Sequence, residues 1–137
     1  MPAIIIMSIW KGLGFNMVIY LAALQGIPDQ FYEAARIDGA GWWAQFRYIT
    51  LPMVSPTTFF VLVMSIIGSF QVFDQAFIMT RGGPAEATMT MVYQIYVNAF
   101  RYFRMGYASA IAWLLFFIIL GATLLQVRLQ KRWVFYG

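Results

Sequence analysis

Three long apolar stretches dominate the sequence, over about residues 3–24, 53–79 and 107–127. A helix needs about 20 apolar residues, each adding about 1.5 Å, to cross the hydrocarbon core of a bilayer. The pattern therefore predicts an all-α polytopic membrane protein with three transmembrane helices. Two connections separate them, a loop over about residues 27–52 and an outer loop over about residues 80–106.

The most polar interruption lies in the first loop, in the stretch YEAARIDGAGWWAQFRYITLP at residues 32–52. Its first part carries small apolar and charged residues at helical spacing. Gly39 predicts the end of that helix, because glycine adopts a left-handed φ without the steric penalty of a Cβ atom. A second short helix is expected from Trp42 to Thr50, with Pro52 and Pro56 opening the next span. The loop is thus predicted to be a helix, a sharp turn and a helix.

Two interpretations of this helix–turn–helix compete. A plain surface or re-entrant connector needs only a few polar residues, which would leave the aromatic face of Trp42, Phe46 and Ile49 without a role. Short helices that display small and aromatic residues outside the bilayer are typical of docking surfaces for another protein. We favour docking over linking.

Composition excludes several functions. Hydrophobic residues make up 62% of the chain and charged residues only 10%, against about a quarter charged in a soluble domain. The 137 residues leave room for one domain, and they include no cysteine and no histidine. Thiolate chemistry, disulfides and imidazole metal sites are therefore excluded, and we expect no catalytic residues and no metal ligands.

The basic residues point to a membrane edge rather than to a nucleic acid. The formal net charge is +4, but these residues form no stripe on a polar surface, and a cluster directly follows the last apolar stretch. If the first loop and the tail are cytoplasmic, that side holds Arg36, Arg47, Arg128, Lys131 and Arg132, against Arg81, Arg101 and Arg104 outside. This bias predicts a cytoplasmic C-terminus.

The second connection begins with a turn and continues with an apolar segment. Gly82, Gly83 and Pro84 form a Gly-Gly-Pro turn signal. The following TMTMVYQIYVNAFRYF is apolar on most faces and rich in aromatic residues. It predicts a helix lying against the outer face of the bundle, half in protein and half at the interface, where tyrosine is favoured. An ordinary amphipathic connector is the alternative.

The polar loop resembles a known motif. The matching positions are Glu33-Ala34-Ala35, Asp38-Gly39-Ala40, Phe46, Ile49, Leu51-Pro52 and Pro56. This pattern resembles the EAA cytoplasmic loop of permease subunits in binding-protein-dependent ABC importers. The flanking sequences IWKGLGFNMVIYLAALQGIPDQFYEAARIDGA, YQIYVNAF and GYASAIAW are similar to the carbohydrate-uptake branch. One departure is Arg81, since the branch more often has TGGGP where this chain has TRGGP.

The resemblance implies a type I ABC importer permease fold in a bacterial or archaeal plasma membrane. Such a subunit normally has about six spans, of which this chain would hold the last three, so we expect a fragment of a longer protein. Its implied partners are a second permease subunit, a pair of ATP-binding subunits, an extracytoplasmic solute-binding protein and the lipid bilayer. Glu33 and Gly39 would be the coupling contacts to the ATP-binding subunit, with a docking surface of Ala34, Ala35, Asp38 and Ala40.

The same resemblance implies that this chain is not an enzyme. ATP and Mg would be used by the partner subunit, and this chain would bind no cofactor. In agreement, the sequence contains no G-x-x-x-x-G-K-[ST] phosphate-binding loop.

Polar residues at membrane depth suggest where a solute could pass, because they are costly there and often functional. Two stripes at helical spacing are candidates: Lys11, Gly12, Phe15 and Asn16 on the first span, and Ser65, Gly68, Ser69 and Val72 on the second, with Gln71 and Asp74 nearby. Aromatic rings beside hydrogen-bonding side chains suit a sugar. Alternatively, the glycine and serine residues are close-packing positions between helices. Lys11 and Asp74 would neutralise each other if the fold brings them together.

Two other functions remain open. One is an ABC permease for another solute, such as glycerol phosphate, a polyamine or an amino acid, and Lys11 could suit an anionic solute. The other is a small membrane protein that acts in assembly or interaction.

Overall fold

All regular structure in the described part of the chain is helical. The computed structural model describes residues 2–83, 87–131 and 134. The helices are α1 (Pro2–Gln25), α2 (Asp29–Ile37), α3 (Trp42–Phe70), a short π-helical α4 (Ala76–Thr80), α5 (Met91–Tyr96, continued by a π-helical turn at Val97–Arg101) and α6 (Met105–Gln130). By length and composition, α1, α3 and α6 could each cross a membrane. The predicted all-α class with three membrane helices is confirmed.

The three long helices pack in chain order. α1 packs against α3, α3 packs against α6, and α5 lies along α6. Most of their large apolar side chains remain exposed on the described surface, including those of Trp10, Phe60 and Trp113. Such a surface is expected of helices that face lipid or other membrane helices.

α3 is longer at its start than the sequence predicts. Instead of a separate short helix followed by a span, one helix runs from Trp42 to Phe70, which at about 1.5 Å per residue is about 43 Å. A π-helical turn at Phe46–Thr50 precedes Pro52, and the N–H of Leu51 donates to the carbonyl of Phe46. This wider bonding shifts the register of the carbonyls just before the proline.

Pro56 also stays inside α3. A proline cannot donate the N–H that the carbonyl four residues earlier would accept. Here the Ser55 hydroxyl donates to the Pro52 carbonyl over 2.6 Å, so that the carbonyl is satisfied and the helix continues.

At its other end α3 is shorter than predicted, because the expected span to residue 79 stops at Phe70. The chain turns at Gln71, and the Thr90 hydroxyl donates to the freed carbonyl of Val72 over 2.6 Å. Phe73 then packs its ring 5.4 Å from that of Tyr96. Hydrogen bonding and aromatic packing with a distant segment therefore compete successfully with helix continuation, and apolar composition alone does not report this.

The segment beyond α3 forms a compact unit, which we call the aromatic cap (residues 73–83 and 87–101). Tyr93 is only 1% exposed, and its ring lies 6.2 Å from that of Phe73 and 6.1 Å from that of Phe77. The cap includes the predicted helix along the bundle, which is seen as α5. In the predicted turn, Gly82 has a φ of 85°, whereas Pro84 lies outside the described residues.

Threonine hydroxyls close this turn. The Thr80 and Thr88 hydroxyls are 2.6 Å apart, and Thr88 donates to the carbonyl of Gly83 over 2.9 Å. Thr88 is buried, and these bonds satisfy polar groups that would otherwise be costly to bury. The cap is therefore held by its own contacts at the end of α3 opposite to the helix–turn–helix.

Candidate functional site

The helix–turn–helix, which we call the hairpin (residues 29–50), is organised around Gly39. Gly39 has a φ of 77°, the left-handed conformation predicted from the sequence. Its N–H donates to the carbonyl of Arg36 over 3.1 Å, and the N–H of Ala40 donates to the carbonyl of Ala35 over 2.8 Å. These two bonds are the Schellman arrangement, which satisfies the last carbonyls of a helix. The glycine is therefore part of the bonding pattern that ends α2.

Gly39 and Gly41 differ in what they require. A Cβ atom at either position would meet no heavy atom within 4 Å beyond the chain neighbours. Gly41, however, has a φ of −68°, which any residue can adopt. The requirement for glycine at Gly39 therefore comes from backbone conformation and not from lack of space, and Gly41 has no such requirement.

Two side-chain hydrogen bonds brace the hairpin. The hydroxyls of Tyr32 and Thr50 are 2.9 Å apart and join α2 to α3. Gln45 Nε2 donates to the carbonyl of Ala40 over 2.8 Å and holds the turn against the first residues of α3. The first bond fixes α2 to α3, and the second fixes the turn to the first residues of α3.

The surface of the hairpin is open. The predicted contact residues Glu33, Ala34, Asp38 and Gly39 are exposed, whereas Ala35 and Ala40 are half-buried. Beside them, the rings of Trp42 and Phe46 stack 6.1 Å apart, yet the side chain of Trp42 is 75% exposed. Large rings that stack on each other while facing outward are suited to burial by another protein.

The first predicted stripe lies on α1 as expected, where Lys11 and Phe15 are exposed and Asn16 is half-buried. A Cβ atom on Gly12 would lie 3.9 Å from Asn16 Nδ2, an ordinary contact within the same helix. The structure thus places these residues on a surface that the described chain leaves largely open.

The second predicted stripe is shortened. Ser65, Gly68 and Ser69 lie exposed on α3, but Gln71 and Val72 come after its last residue, so that Val72 does not continue the helical face. The Ser69 hydroxyl donates to the carbonyl of Ile66 over 2.7 Å. A Cβ atom on Gly68 would meet nothing within 4 Å, so that Gly68 mediates no close helix contact within the described residues.

Lys11 and Asp74 do meet. Lys11 Nζ lies 3.7 Å from Asp74 Oδ2, although α1 and the cap are far apart in sequence. The charge of Lys11 is therefore partly compensated in this structure.

Comparison with known proteins decides the family. Residues 1–134 match the family described as binding-protein-dependent transport system inner membrane component. The chain belongs to this family. Membership makes it a segment of a multi-pass inner-membrane permease, a transport component and not an enzyme.

Individual permeases are similar over nearly the whole chain. It is 40% identical to the probable ABC transporter permease protein YurN of Bacillus subtilis over 96% of its length. It is 38% identical to the sn-glycerol-3-phosphate transport system permease protein UgpA of Yersinia pseudotuberculosis over 97%, and 36% identical to the arabinooligosaccharides transport system permease protein AraP of Bacillus subtilis over 92%. The matches cover 45%, 46% and 41% of these relatives. The chain thus spans a little under half of their length.

Sequence reasoning about this permease segment missed the contacts that brace the hairpin. Tyr32 and Thr50 are 18 positions apart, and no local periodicity links them. Trp43 also went unassigned, although its ring lies 5.8 Å from that of Phe46. Its position three residues before Phe46 was the available signal, since residues at that spacing are neighbours on a helix.

Proposed function

We propose that the intact permease imports a sugar or a related small solute, and that its hairpin docks on an ATP-binding subunit. The resemblance to the EAA motif and the family membership support the first half of this proposal. The exposed, internally braced hairpin supports the second half. ATP and Mg are assigned to the partner subunits, which would work as a pair with a second permease subunit and an extracytoplasmic solute-binding protein.

The observation that carries the docking proposal is the glycine turn. At Gly39 the backbone takes a left-handed φ, while the surrounding surface is open to contact. A turn of this shape presents Asp38 and Ala40 at the tip, and the bonds from Tyr32 and Gln45 keep the tip in place. A pre-organised surface binds a partner at a lower entropic cost than a mobile loop.

Gly39→Asp tests this proposal, with Gly41→Asp as the matched control. Aspartate tolerates a left-handed φ better than most side chains, but relative to glycine it still costs about 1 kcal/mol, which corresponds to about fivefold in an equilibrium constant. We expect Gly39→Asp to lose co-purification of the ATP-binding subunit by at least this factor, and to lose uptake. Gly41→Asp adds the same side chain at an ordinary φ and at a helix N-cap, where aspartate is favoured. It should therefore retain more co-purification and more uptake than Gly39→Asp. Full uptake and undiminished co-purification in Gly39→Asp would make the hairpin a linker.

Glu33→Ala should weaken the same docking contact in a different way. It removes a charged partner for a basic residue across the interface, worth about 1–3 kcal/mol if that pair is desolvated, and leaves the turn intact. Subunit binding should therefore decrease while the proteolytic stability of the hairpin stays unchanged. A loss of stability equal to that of Gly39→Asp would assign Glu33 to folding instead.

For orientation, we propose that the hairpin and the C-terminal end are cytoplasmic. Arg36, Arg47, Arg128 and Lys131 are on that side, and Arg132 lies outside the described residues. Activity of a cytoplasmic reporter fused at Gln45 and at the C-terminus tests the assignment, and an external signal at either position would contradict it.

For the solute, we propose a path between the two stripes on α1 and α3. Asn16→Leu should reduce uptake and leave assembly intact, because it removes a hydrogen-bonding group from the path and adds bulk. Ser69→Leu should have a smaller effect, since the Ser69 hydroxyl already donates within α3. Val18→Leu on α1, which removes no polar group, is the control. Normal uptake in both variants would make Asn16 and Ser69 packing residues.

A further inference from the structure

Lys11 and Asp74 are two isolated charges that meet each other. Lys11 is the only charged residue between positions 2 and 25, and Asp74 is the only one between positions 51 and 80. They form the one ion pair seen among the described residues, with Nζ and Oδ2 3.7 Å apart. An uncompensated charge on a membrane-spanning helix is expensive, and on α1 the charge of Lys11 has the carboxylate of Asp74 within reach.

The pair connects α1 with the aromatic cap, whose α5 packs along α6. Lys11 lies in the middle of α1, which packs along α3. Asp74 lies between Phe73 and Phe77, whose rings stack 5.3 Å apart inside the aromatic cap. The carboxylate is thus fixed on the aromatic cap, and the ammonium group reaches it from α1.

We propose that Lys11 and Asp74 form a charge-compensated tether that positions α1 against the aromatic cap, and that Lys11 is not a binding site for an anionic solute. Both side chains are exposed on the described surface, at 64% and 69%, and no second ion pair is seen for either among the described residues. This inference rests on the membrane-spanning fold and not on the identity of the transported solute.

A double-mutant cycle in the full-length permease tests the tether. The variants are Lys11→Met, Asp74→Asn and the double variant, measured by yield in membranes and by thermal unfolding in detergent. Each single variant leaves one charge unpaired, and because the pair is largely exposed we expect it to lower Tm by about 2 °C. The double variant leaves no charge and should recover to within about 1 °C of the wild type. Arg101→Met, which neutralises an exposed charge with no ion pair in the described structure, controls for charge loss alone.

Added anions separate the tether from solute binding. If Lys11 is engaged by Asp74, neither inorganic phosphate nor sn-glycerol 3-phosphate should raise the Tm of the wild type. An increase that disappears in Lys11→Met would identify an anion site and overturn the proposal. Single variants with the Tm of the wild type, or a double variant as low as the sum of the two single losses, would overturn it equally. The ion-pair test is independent of the docking test, so that a loss of docking in Gly39→Asp would leave the Tm values of the Lys11 and Asp74 variants uninformative about docking and unchanged in meaning for the tether.

Discussion

The aromatic cap and the hairpin share a left-handed glycine and a group of aromatic rings, but they differ in how far those rings are buried. Each has a glycine with a left-handed φ, 85° at Gly82 and 77° at Gly39, and each has aromatic rings in contact. In the cap the rings enclose Tyr93 almost completely, whereas in the hairpin Trp43 stays 65% exposed. The cap thus has a buried centre within the described chain, although Ile78 and Phe100 stay exposed at its surface, whereas Trp42 to Thr50 of the hairpin include no buried residue.

The two glycines make the same distinction. A Cβ atom on Gly82 would lie 2.9 Å from Cε1 of Tyr93, whereas a Cβ atom on Gly39 would meet nothing within 4 Å. The cap thus needs glycine for both conformation and space, and the hairpin needs it for conformation alone. The hairpin turn is therefore constrained in its backbone while its surface stays open.

Truncating one ring in each region should give the largest difference. Tyr93→Ala removes the buried centre of the cap and should cost about 3–5 kcal/mol of unfolding free energy. Trp43→Ala should change stability by no more than about 0.5 kcal/mol, because the ring is mostly exposed, while it lowers binding of the ATP-binding subunit. Thermal unfolding and co-purification of both variants are the measurements. Equal stability losses would show that the hairpin rings are as well packed as those of the cap.

The glycines should give the next largest difference. Gly82→Ala combines a strained φ with a clash against a buried ring, for a cost of about 2–4 kcal/mol. Gly39→Ala carries only the strain, about 1–2 kcal/mol. Gly41→Ala is the reference, since its φ is ordinary. The measurement is chemical or thermal unfolding of the three variants. A larger loss of stability in Gly39→Ala than in Gly82→Ala would contradict this explanation.

Substituting Arg81 should have the smallest effect on stability, and it should raise stability instead of lowering it. It is the residue where the sequence departs from the TGGGP pattern, and its φ of 47° is left-handed, a conformation that glycine adopts without strain. Arg81→Gly should therefore stabilise the cap by about 0.5–1 kcal/mol. An increase in Tm confirms the strain, and a decrease would mean that the arginine side chain contributes more than the strain costs.

The sequence predicts the features that depend on local residues. Gly39 ends α2 as predicted, because the demand for a left-handed φ is carried by one residue. The three membrane helices follow from the length of the apolar stretches. The predicted helix of the second connection likewise corresponds to α5.

The features that the sequence did not predict depend on distant partners. α3 ends at Phe70 because the Thr90 hydroxyl donates to the carbonyl of Val72 and the ring of Phe73 packs against that of Tyr96 in the cap. Similarly, the helix passes Pro56 because the Ser55 hydroxyl replaces a missing donor. In the hairpin, the bond between Tyr32 and Thr50 has no periodic signature. Tertiary contacts of this kind override local propensity.

The accessibility of one hairpin residue tests the central claim, that the ATP-binding subunit binds to the hairpin and covers it. Ile37 is 87% exposed beside the Gly39 turn, and the chain has no cysteine of its own. In a permease free of other cysteines, Ile37→Cys should react rapidly with a maleimide and should become protected at least about tenfold when the ATP-binding subunit is bound. Tyr102→Cys, exposed beyond the cap, should react equally in both states. If Ile37→Cys reacts at the same rate with and without the bound subunit, the hairpin is not the docking surface.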